Sequence, residues 1–213
     1  MDEKNIAPEF YTTLERSAKD EFEEKRSLFI GYASPIKTED EALAFIKKVK
    51  NHHKDATHNV WAYVLDGGYT QRYSDDGEPQ GTAGMPVLDT IRKSGCSDCV
   101  VVVTRYFGGT LLGAGGLVRA YSHGAKIALD AAHIITYEKY AVLRLVCSYS
   151  DYQKYNSEII RSGAIMDDTD FADSVTLTFA MKKSKYPDFG KRLVEMSAGK
   201  VNCEIIGERF DYK

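Results

Sequence analysis

Three carboxylate residues fall within four positions of the segment Ser74-Asp75-Asp76-Gly77-Glu78-Pro79. Clustered acids repel one another unless a cation or a hydrogen-bond donor lies beside them. Asp75, Asp76 and Glu78 are therefore candidates for holding a divalent cation, for acid–base catalysis or for binding a basic partner. The alternative is a solvated turn, because Asp-Gly and Glu-Pro are turn dipeptides and aspartate caps nearby amides.

A second segment combines arginine with a dense run of glycine between a predicted strand and a predicted helix. Five of the nine residues from 108 to 116 are glycine, namely Gly108, Gly109, Gly113, Gly115 and Gly116. Glycine lets backbone N–H groups approach a ligand closely, and a helix N-terminus favours an anion. Arg105 and Arg119 flank the run and are suited to binding phosphate or carboxylate. The segment predicts a small-anion or phosphate site, although neither common nucleotide-binding glycine motif is present. Tight packing of the loop against the sheet is the alternative.

Histidines add weaker signals. His58 opens a strand predicted to pair with the strand that leads into the acidic segment, so we expect it near Asp75 and Asp76; a purely structural histidine is the alternative. His52 and His53 end a predicted helix and are expected to complement its dipole. His123 follows Arg119 by one helical turn and would extend a cationic stripe.

Cys96 and Cys99 form a CxxC motif without a matching second pair. Structural zinc needs four ligands, and the other cysteines, Cys147 and Cys203, belong to a different predicted domain. A thioredoxin-like motif opens a helix, whereas this one enters a strand. We therefore expect no metal site, no redox role and no cofactor.

Hydrophobic periodicity predicts the elements that position these groups. Lys19-Asp20-Glu21 is expected to separate the first two strands, and Leu43, Phe45, Ile46 and Val49 to form the buried stripe of the first helix. The run at 98–106 is expected to be buried on both faces. The predicted N-terminal elements are strands at 10–18, 22–33, 58–65, 69–74 and 98–106, and helices at 39–53, 84–94 and 116–132.

The remaining elements follow the order β-α-β-β-α-β, which is typical of a ferredoxin-like domain. An acidic cluster in it, Asp167, Asp168, Asp170 and Asp173, lacks the Gly and Glu of a calcium loop and is interpreted as a hairpin turn. We predict an α+β chain with domains at 1–135 and 136–213, the second of which binds a partner or restricts access to the first. The predicted elements are strands at 139–149, 164–169, 174–181 and 200–207, and helices at 151–161 and 184–198.

Composition excludes several classes. The chain has 213 residues, of which 43% are apolar and 28% charged, and a net charge of −3, so it is neither disordered nor a strongly basic nucleic-acid binder. Residues 1–133 carry 16 Lys+Arg and 19 Asp+Glu, and the rest carries 12 of each, which disfavours an extended duplex as the partner. The beginning of the chain lacks the features of a signal peptide and no apolar run is long enough to span a membrane, so we expect no membrane contact and a cytoplasmic location.

Together the two dense segments resemble the IMPACT/YigZ family. The resemblance is carried by Ser74 to Pro79, by Gly81-Thr82-Ala83-Gly84 with Pro86, and by Arg105 to Gly109 followed by Gly115 to Tyr121. It covers residues 15–132 as the family's N-terminal domain, and the rest is similar to the small C-terminal domain of two-domain bacterial members. It implies an N-terminal α/β sandwich like the second domain of a ribosomal small-subunit protein, and a ferredoxin-like C-terminal domain.

The resemblance also implies a link to translation. Eukaryotic relatives regulate translation by competing for the activator of an initiation-factor kinase, through a protein with an added domain that this sequence lacks. Our first hypothesis is a non-enzymatic binding module that engages RNA, the ribosome or a translation factor through the glycine and arginine segment. The alternatives are an enzyme that acts on a small phosphorylated or carboxylated ligand, with Asp75, Asp76 and Glu78 as cation site or base, and a protein–protein adaptor.

Overall fold

The structure, a computed structural model, describes residues 10–212. Contacts within the chain divide the described residues into two compact units, Tyr11–Thr136 and Phe10 together with residues 137–212. The expectation about a signal peptide rests on residues 1–9, which lie outside the described residues. No helix among residues 10–212 is long and apolar enough to cross a membrane.

The first block of elements builds a five-stranded antiparallel sheet in the order β2-β3-β6-β4-β5. The central strand, β6, is buried from Cys99 to Arg105, as its continuous apolar run predicted. The elements are β1 (Phe10–Leu14), β2 (Ala18–Glu24), β3 (Ser27–Pro35), α1 (Glu39–His52), β4 (His58–Leu65), β5 (Thr70–Ser74), α2 (Gly84–Ser94), β6 (Cys99–Tyr106) and α3 (Ala114–Ala132).

Helices cover both faces of this sheet. Side chains of α2 and α3 share one core with the sheet, and those of α1 share the other. Thr38 caps α1, where its Oγ1 accepts a hydrogen bond from the Glu41 N–H at 3.2 Å. The predicted stripe of α1 is wrong at Leu43, which is 49% exposed. Ile46 and Val49 are buried as predicted and Phe45 is partly buried, while Ala42 is buried in place of Leu43.

The predicted break at Lys19-Asp20-Glu21 is also wrong. These residues lie inside β2 and pair with β3, and the chain turns at Lys25 and Arg26, whose φ angles are +46° and +68°. β2 is an edge strand with mostly exposed side chains, so polar residues suit it and resemble a loop in the sequence.

β1 does not join this sheet. It pairs with the beginning of β7 (Ile134–Cys147), where Thr12 and Thr136 share a hydrogen bond of 3.0 Å.

The second block confirms the ferredoxin-like order and, with the first, the α+β class. Its strands pair antiparallel in the order β10-β7-β9-β8 around a core of their own. The predicted acidic hairpin turn is corrected: Asp167, Asp168 and Asp170 lie within β8, and only Asp173 lies in the turn before β9. The remaining elements are α4 (Tyr152–Arg161), β8 (Ile165–Phe171), β9 (Val175–Lys182), α5 (Tyr186–Ser197) and β10 (Cys203–Asp211).

Candidate functional site

A buried ion pair joins the two motif segments. Arg105 lies near the end of β6, directly opposite His58 of β4. Its Nη1 donates to Glu78 Oε1 at 2.7 Å, and the two residues are only 5% and 8% exposed. The Tyr121 hydroxyl, on α3, donates to the same oxygen at 2.8 Å. Glu78 is therefore the shared acceptor that ties the acidic segment to β6 and α3.

The Arg105 guanidinium is held from several sides. Its Cζ lies 5.5 Å from the ring centre of Phe29 and 5.4 Å from that of Phe107, a cation–π arrangement. Its Nη2 lies 3.5 Å from Ser27 Oγ. Within residues 10–212 its Nε is buried without a hydrogen-bond partner. An arginine so enclosed stabilises the fold and is not open to a large anion.

Burial, and next the Glu78 charge, raise the pKa of the Tyr121 hydroxyl far above its ordinary value of 10.0. Tyr121 therefore stays protonated and remains a donor to the carboxylate. Tyr121 was not among the site residues predicted from the sequence. A signal was present, because Leu117 and Tyr121 are four residues apart on the buried side of α3.

His58 lies against the acidic segment, close to Asp76 as expected. Its Nδ1 is 2.8 Å from the Asp76 carbonyl oxygen, and a carbonyl only accepts, so Nδ1 carries the proton. Its Nε2 lies 3.8 Å from Glu78 Oε1. Protonation of Nε2 would turn this approach into a second ion pair with Glu78.

The other two carboxylates of the acidic segment also have partners inside the protein. Asp75 accepts hydrogen bonds from the Gly81, Ala83 and Gly84 N–H groups at 2.8–3.1 Å, and so caps the beginning of α2. Asp76 accepts one hydrogen bond from Lys50 Nζ and one from the Asn59 N–H, both at 2.6 Å. The carboxylates avoid mutual repulsion by these separate partners, and residues 10–212 contain no group of three side chains placed to hold a metal ion.

Asn59 connects this site to the end of α1. Besides its N–H bond to Asp76, its Nδ2 donates to the His53 carbonyl oxygen at 3.3 Å, and its Oδ1 accepts from Thr104 Oγ1 at 2.8 Å. His53 differs from the expectation of a helix-end cation. It is only 7% exposed, and burial lowers its pKa, so it is neutral near pH 7.

The glycine segment divides into a packed part and an open part. A Cβ on Gly108 would lie 1.8 Å from the Arg26 carbonyl oxygen, so only glycine lets the loop approach the β2–β3 turn. Gly113, with φ +72°, is the N-cap of α3, and no side chain of the described residues caps that end. Gly109 and Gly115 are exposed, and Gly116 lies partly buried against Leu112 in the first turn of α3.

Arg119 lies on the exposed side of α3, away from the buried Glu78 network. It lines a cavity of about 440 Å³ together with His123 and with Phe22, Glu24 and Lys25 of the β2–β3 hairpin. The structure therefore brings His58, Asp76, Glu78 and Arg105 together but places Arg119 at a separate, open surface. Asp75 belongs to the same acidic segment, but its carboxylate caps the beginning of α2.

Cys96 and Cys99 are buried free thiols. A hydrogen bond with Cys96, followed by burial, raises the pKa of Cys99 well above 9.0. A protonated, enclosed thiol is a poor nucleophile.

Comparison with known proteins finds two domain families that match this chain. The Impact N-terminal domain family matches residues 25–129, and a domain of unknown function, DUF1949, matches residues 145–200. Every residue of the buried network lies inside the first match.

Bacterial relatives are similar over most of the chain, and a eukaryotic relative is similar over less than half of it. The IMPACT family member YvyE of Bacillus subtilis is 34% identical over 89% of this chain and 88% of its own, and YigZ of Escherichia coli is 34% identical over 86% and 92%. Protein IMPACT of Rattus norvegicus is 31% identical over 42% of this chain and 30% of its own. A crystal structure described as that of an hypothetical protein superposes with a TM-score of 0.59, at 30% identity over 94% of this chain and 98% of the other. The chain therefore belongs to the IMPACT family.

Proposed function

We propose that this protein is a non-catalytic binding protein of translation that contacts RNA through the open surface around Arg119. One observation carries the proposal: Arg119 and Lys25 approach the same cavity, beside the uncapped beginning of α3. Neither cation has a hydrogen-bond or ion-pair partner among residues 10–212. Unpaired cations next to free backbone N–H groups form a surface that favours phosphate.

Exposed apolar side chains on the same loop support RNA over an isolated phosphate. Phe107 is 45% exposed and Leu111 is 81% exposed. An exposed aromatic ring is a surface on which unpaired bases stack, and Phe107 belongs to the loop that leads into α3. We therefore propose single-stranded or looped RNA as the ligand, for which a few phosphates and one or two bases suffice.

The charge around the cavity limits the contact to a few phosphates. Glu23 and Glu24 line it together with the cations. The N-terminal part also has slightly more acidic than basic residues. A long duplex would meet repulsion here, whereas a short strand can follow the cationic side.

The buried network favours binding over catalysis. Each carboxylate of the acidic segment is already bound to a group of the protein, and the cavities around Arg119, α1 and α2 are lined by residues other than Glu78 and His58. The same proposal includes a cytoplasmic location, where RNA and ribosomes are found and where free thiols stay reduced.

Filter binding of an RNA of about 12 nucleotides, and of purified bacterial ribosomes, tests the proposal at about 50 and about 200 mM salt. We expect affinity that falls as salt rises. Arg119→Ala should weaken binding and reduce the slope of log affinity against log salt by about 1.

Lys126→Ala is the matched control. It removes one positive charge from the same helix, but Lys126 is already paired with Asp130 at 2.9 Å. Absence of salt-dependent binding, or equal losses in the two variants, would contradict the proposal. Binding to a purified translation factor without RNA binding would favour the adaptor hypothesis instead.

A further inference from the structure

A second cavity, of about 610 Å³, lies where β2 and β3 meet α1. It belongs to the face of the sheet that α1 covers, and it shares no residue with the segment from Arg105 to Arg119. Its lining consists of Ser17, Ala18, Lys19, Tyr32, Phe45, Lys48, Val49, Asn51 and His52.

The floor of this cavity is largely apolar. Tyr32 and Phe45 are partly buried and pack against the core beneath α1, and Val49 is buried. Two aromatic rings beside a branched aliphatic side chain suit a planar apolar group.

The rim is cationic and unpaired. Lys19, Lys48 and His52 are exposed at the cavity. Neither lysine has a carboxylate within 4.0 Å among residues 10–212. The Glu21 charge acts at this face and raises the pKa of Tyr32, although burial raises it more. The rim therefore offers two lysine cations, beside the His52 imidazole, to an anion from outside the protein.

A chain of hydrogen bonds fixes the direction in which the Tyr32 hydroxyl donates. The Tyr106 hydroxyl donates to Asp55 Oδ1 at 3.2 Å, so its oxygen accepts from His53 Nδ1 at 2.8 Å. A neutral imidazole with its proton on Nδ1 has a bare Nε2, which accepts from the Tyr32 hydroxyl at 2.6 Å. Burial, aided by the His52 and Lys19 charges, lowers the pKa of His53 and keeps the imidazole neutral, although Asp55 acts in the opposite direction.

The direction of these hydrogen bonds has a consequence for recognition. The Tyr32 proton is committed to His53, so toward any ligand the Tyr32 oxygen can only accept. Two features thus define what fits: an anion for the rim and a planar apolar group for the floor. A hydrogen-bond donor on the ligand would match Tyr32.

We propose that this cavity binds a small anion that carries a planar aromatic group, such as an aromatic phosphate, an aromatic carboxylate or a mononucleotide. The anion lies between Lys19, Lys48 and His52, and the ring lies on Tyr32 and Phe45. No step of this inference uses the RNA surface, so the two proposals can fail separately.

NMR titration of the full chain with phenyl phosphate tests the proposal. We expect saturable shifts of the amide signals of Lys19, Tyr32 and Lys48, with a dissociation constant on the order of 1 mM. Lys48→Ala should weaken binding by about fivefold, as expected for one exposed ion pair. Lys47→Ala, the neighbouring lysine outside the cavity lining, should leave binding unchanged.

Other probes identify the ligand class. Adenosine monophosphate that binds more tightly than phenyl phosphate would support the proposal and assign a nucleotide, and benzoate that binds more tightly would support it and assign a carboxylate. Equally tight binding of inorganic phosphate, or of the cation benzylamine, would overturn it. So would equal losses in the two lysine variants, or shifts that do not saturate.

Discussion

Arg105 and Arg119 bracket the same glycine segment and have opposite environments. Arg105 is enclosed, with Glu78, Ser27, Phe29 and Phe107 around its guanidinium. Arg119 is exposed on α3 and has no partner among the residues that the structure describes. The same side chain thus stabilises the fold at one end of the loop and is available to a ligand at the other. Position on strand or helix, rather than motif membership, decides which role an arginine has.

The sharpest way to test this contrast is to remove each arginine in turn. Arg105→Met should lower the free energy of unfolding by about 3–5 kcal/mol, because it leaves the Glu78 carboxylate buried without its counter-ion. Arg119→Met should change that free energy by less than about 0.5 kcal/mol. Urea unfolding measures both. Similar losses in the two variants would break the comparison.

Removing one hydroxyl tests how much the buried side depends on hydrogen bonding. Tyr121→Phe should cost about 1.5–3 kcal/mol in unfolding free energy, since its hydroxyl donates to a charged, buried acceptor. Tyr73→Phe, at a tyrosine that is 42% exposed, is the control and should be nearly neutral. A neutral Tyr121→Phe would mean that Arg105 alone satisfies Glu78.

Alanine substitutions separate the packed glycine from the open ones. Gly108→Ala should destabilise the fold by about 1–3 kcal/mol, because the added Cβ meets backbone atoms of Arg26. Gly115→Ala should instead stabilise the fold by about 0.4–1 kcal/mol, because alanine lowers the conformational entropy of the unfolded chain. The added Cβ would meet only the end of the Arg119 side chain, at 3.8 Å. Thermal or urea unfolding of both variants decides. We expect the two changes in unfolding free energy to have opposite signs. Two losses of equal size would refute the division of the loop into a packed and an open part.

The smallest expected effect on stability comes from His53, a buried side chain that is neutral near pH 7, in contrast to the charged Arg105. The pKa of His53 in the folded state is below its ordinary value of 6.5. Between these two pKa values the unfolded chain binds more protons than the folded chain, so stability rises with pH. Stability should therefore fall as pH drops below about 6.5, by less than about 1.4 kcal/mol per pH unit.

The measurement is the pH dependence of unfolding free energy in the wild type and in His53→Gln. The variant should lose this part of the slope, whereas His52→Gln removes a smaller cause of the lowered His53 pKa and should retain the larger part that burial causes. A slope that His53→Gln leaves unaltered would show that His53 is not the group responsible.

Much of the fold follows from local patterns. The continuous apolar run of β6, the Thr38 cap of α1 and the β-α-β-β-α-β order are each set by residues within one element or between neighbours. The β2–β3 turn was not predictable in this way. Lys25 and Arg26 adopt positive φ without a glycine, and the exposed edge strand before them has the composition of a loop.

The candidate site was predictable in part of its membership but not in its pairing. His58, Asp76, Glu78 and Arg105 were selected from their types and spacing, and His58 was expected near Asp76. The partner of Arg105 depends on the β4–β6 register and on the docking of α3, which place residues 27 and 43 positions from Glu78 around one oxygen. The Tyr32–His53–Tyr106 chain of hydrogen bonds was missed for the same reason, because its three members come from three elements.

Asn59 fastens the acidic turn and the end of α1 to one strand through both its backbone and its side chain. Neither segment can move away from β4 without breaking a hydrogen bond that this residue makes. We therefore expect the two segments to exchange their amide hydrogens as one cooperative opening unit, although the cavity beside α1 and the loop around Glu78 lie in different parts of the sequence.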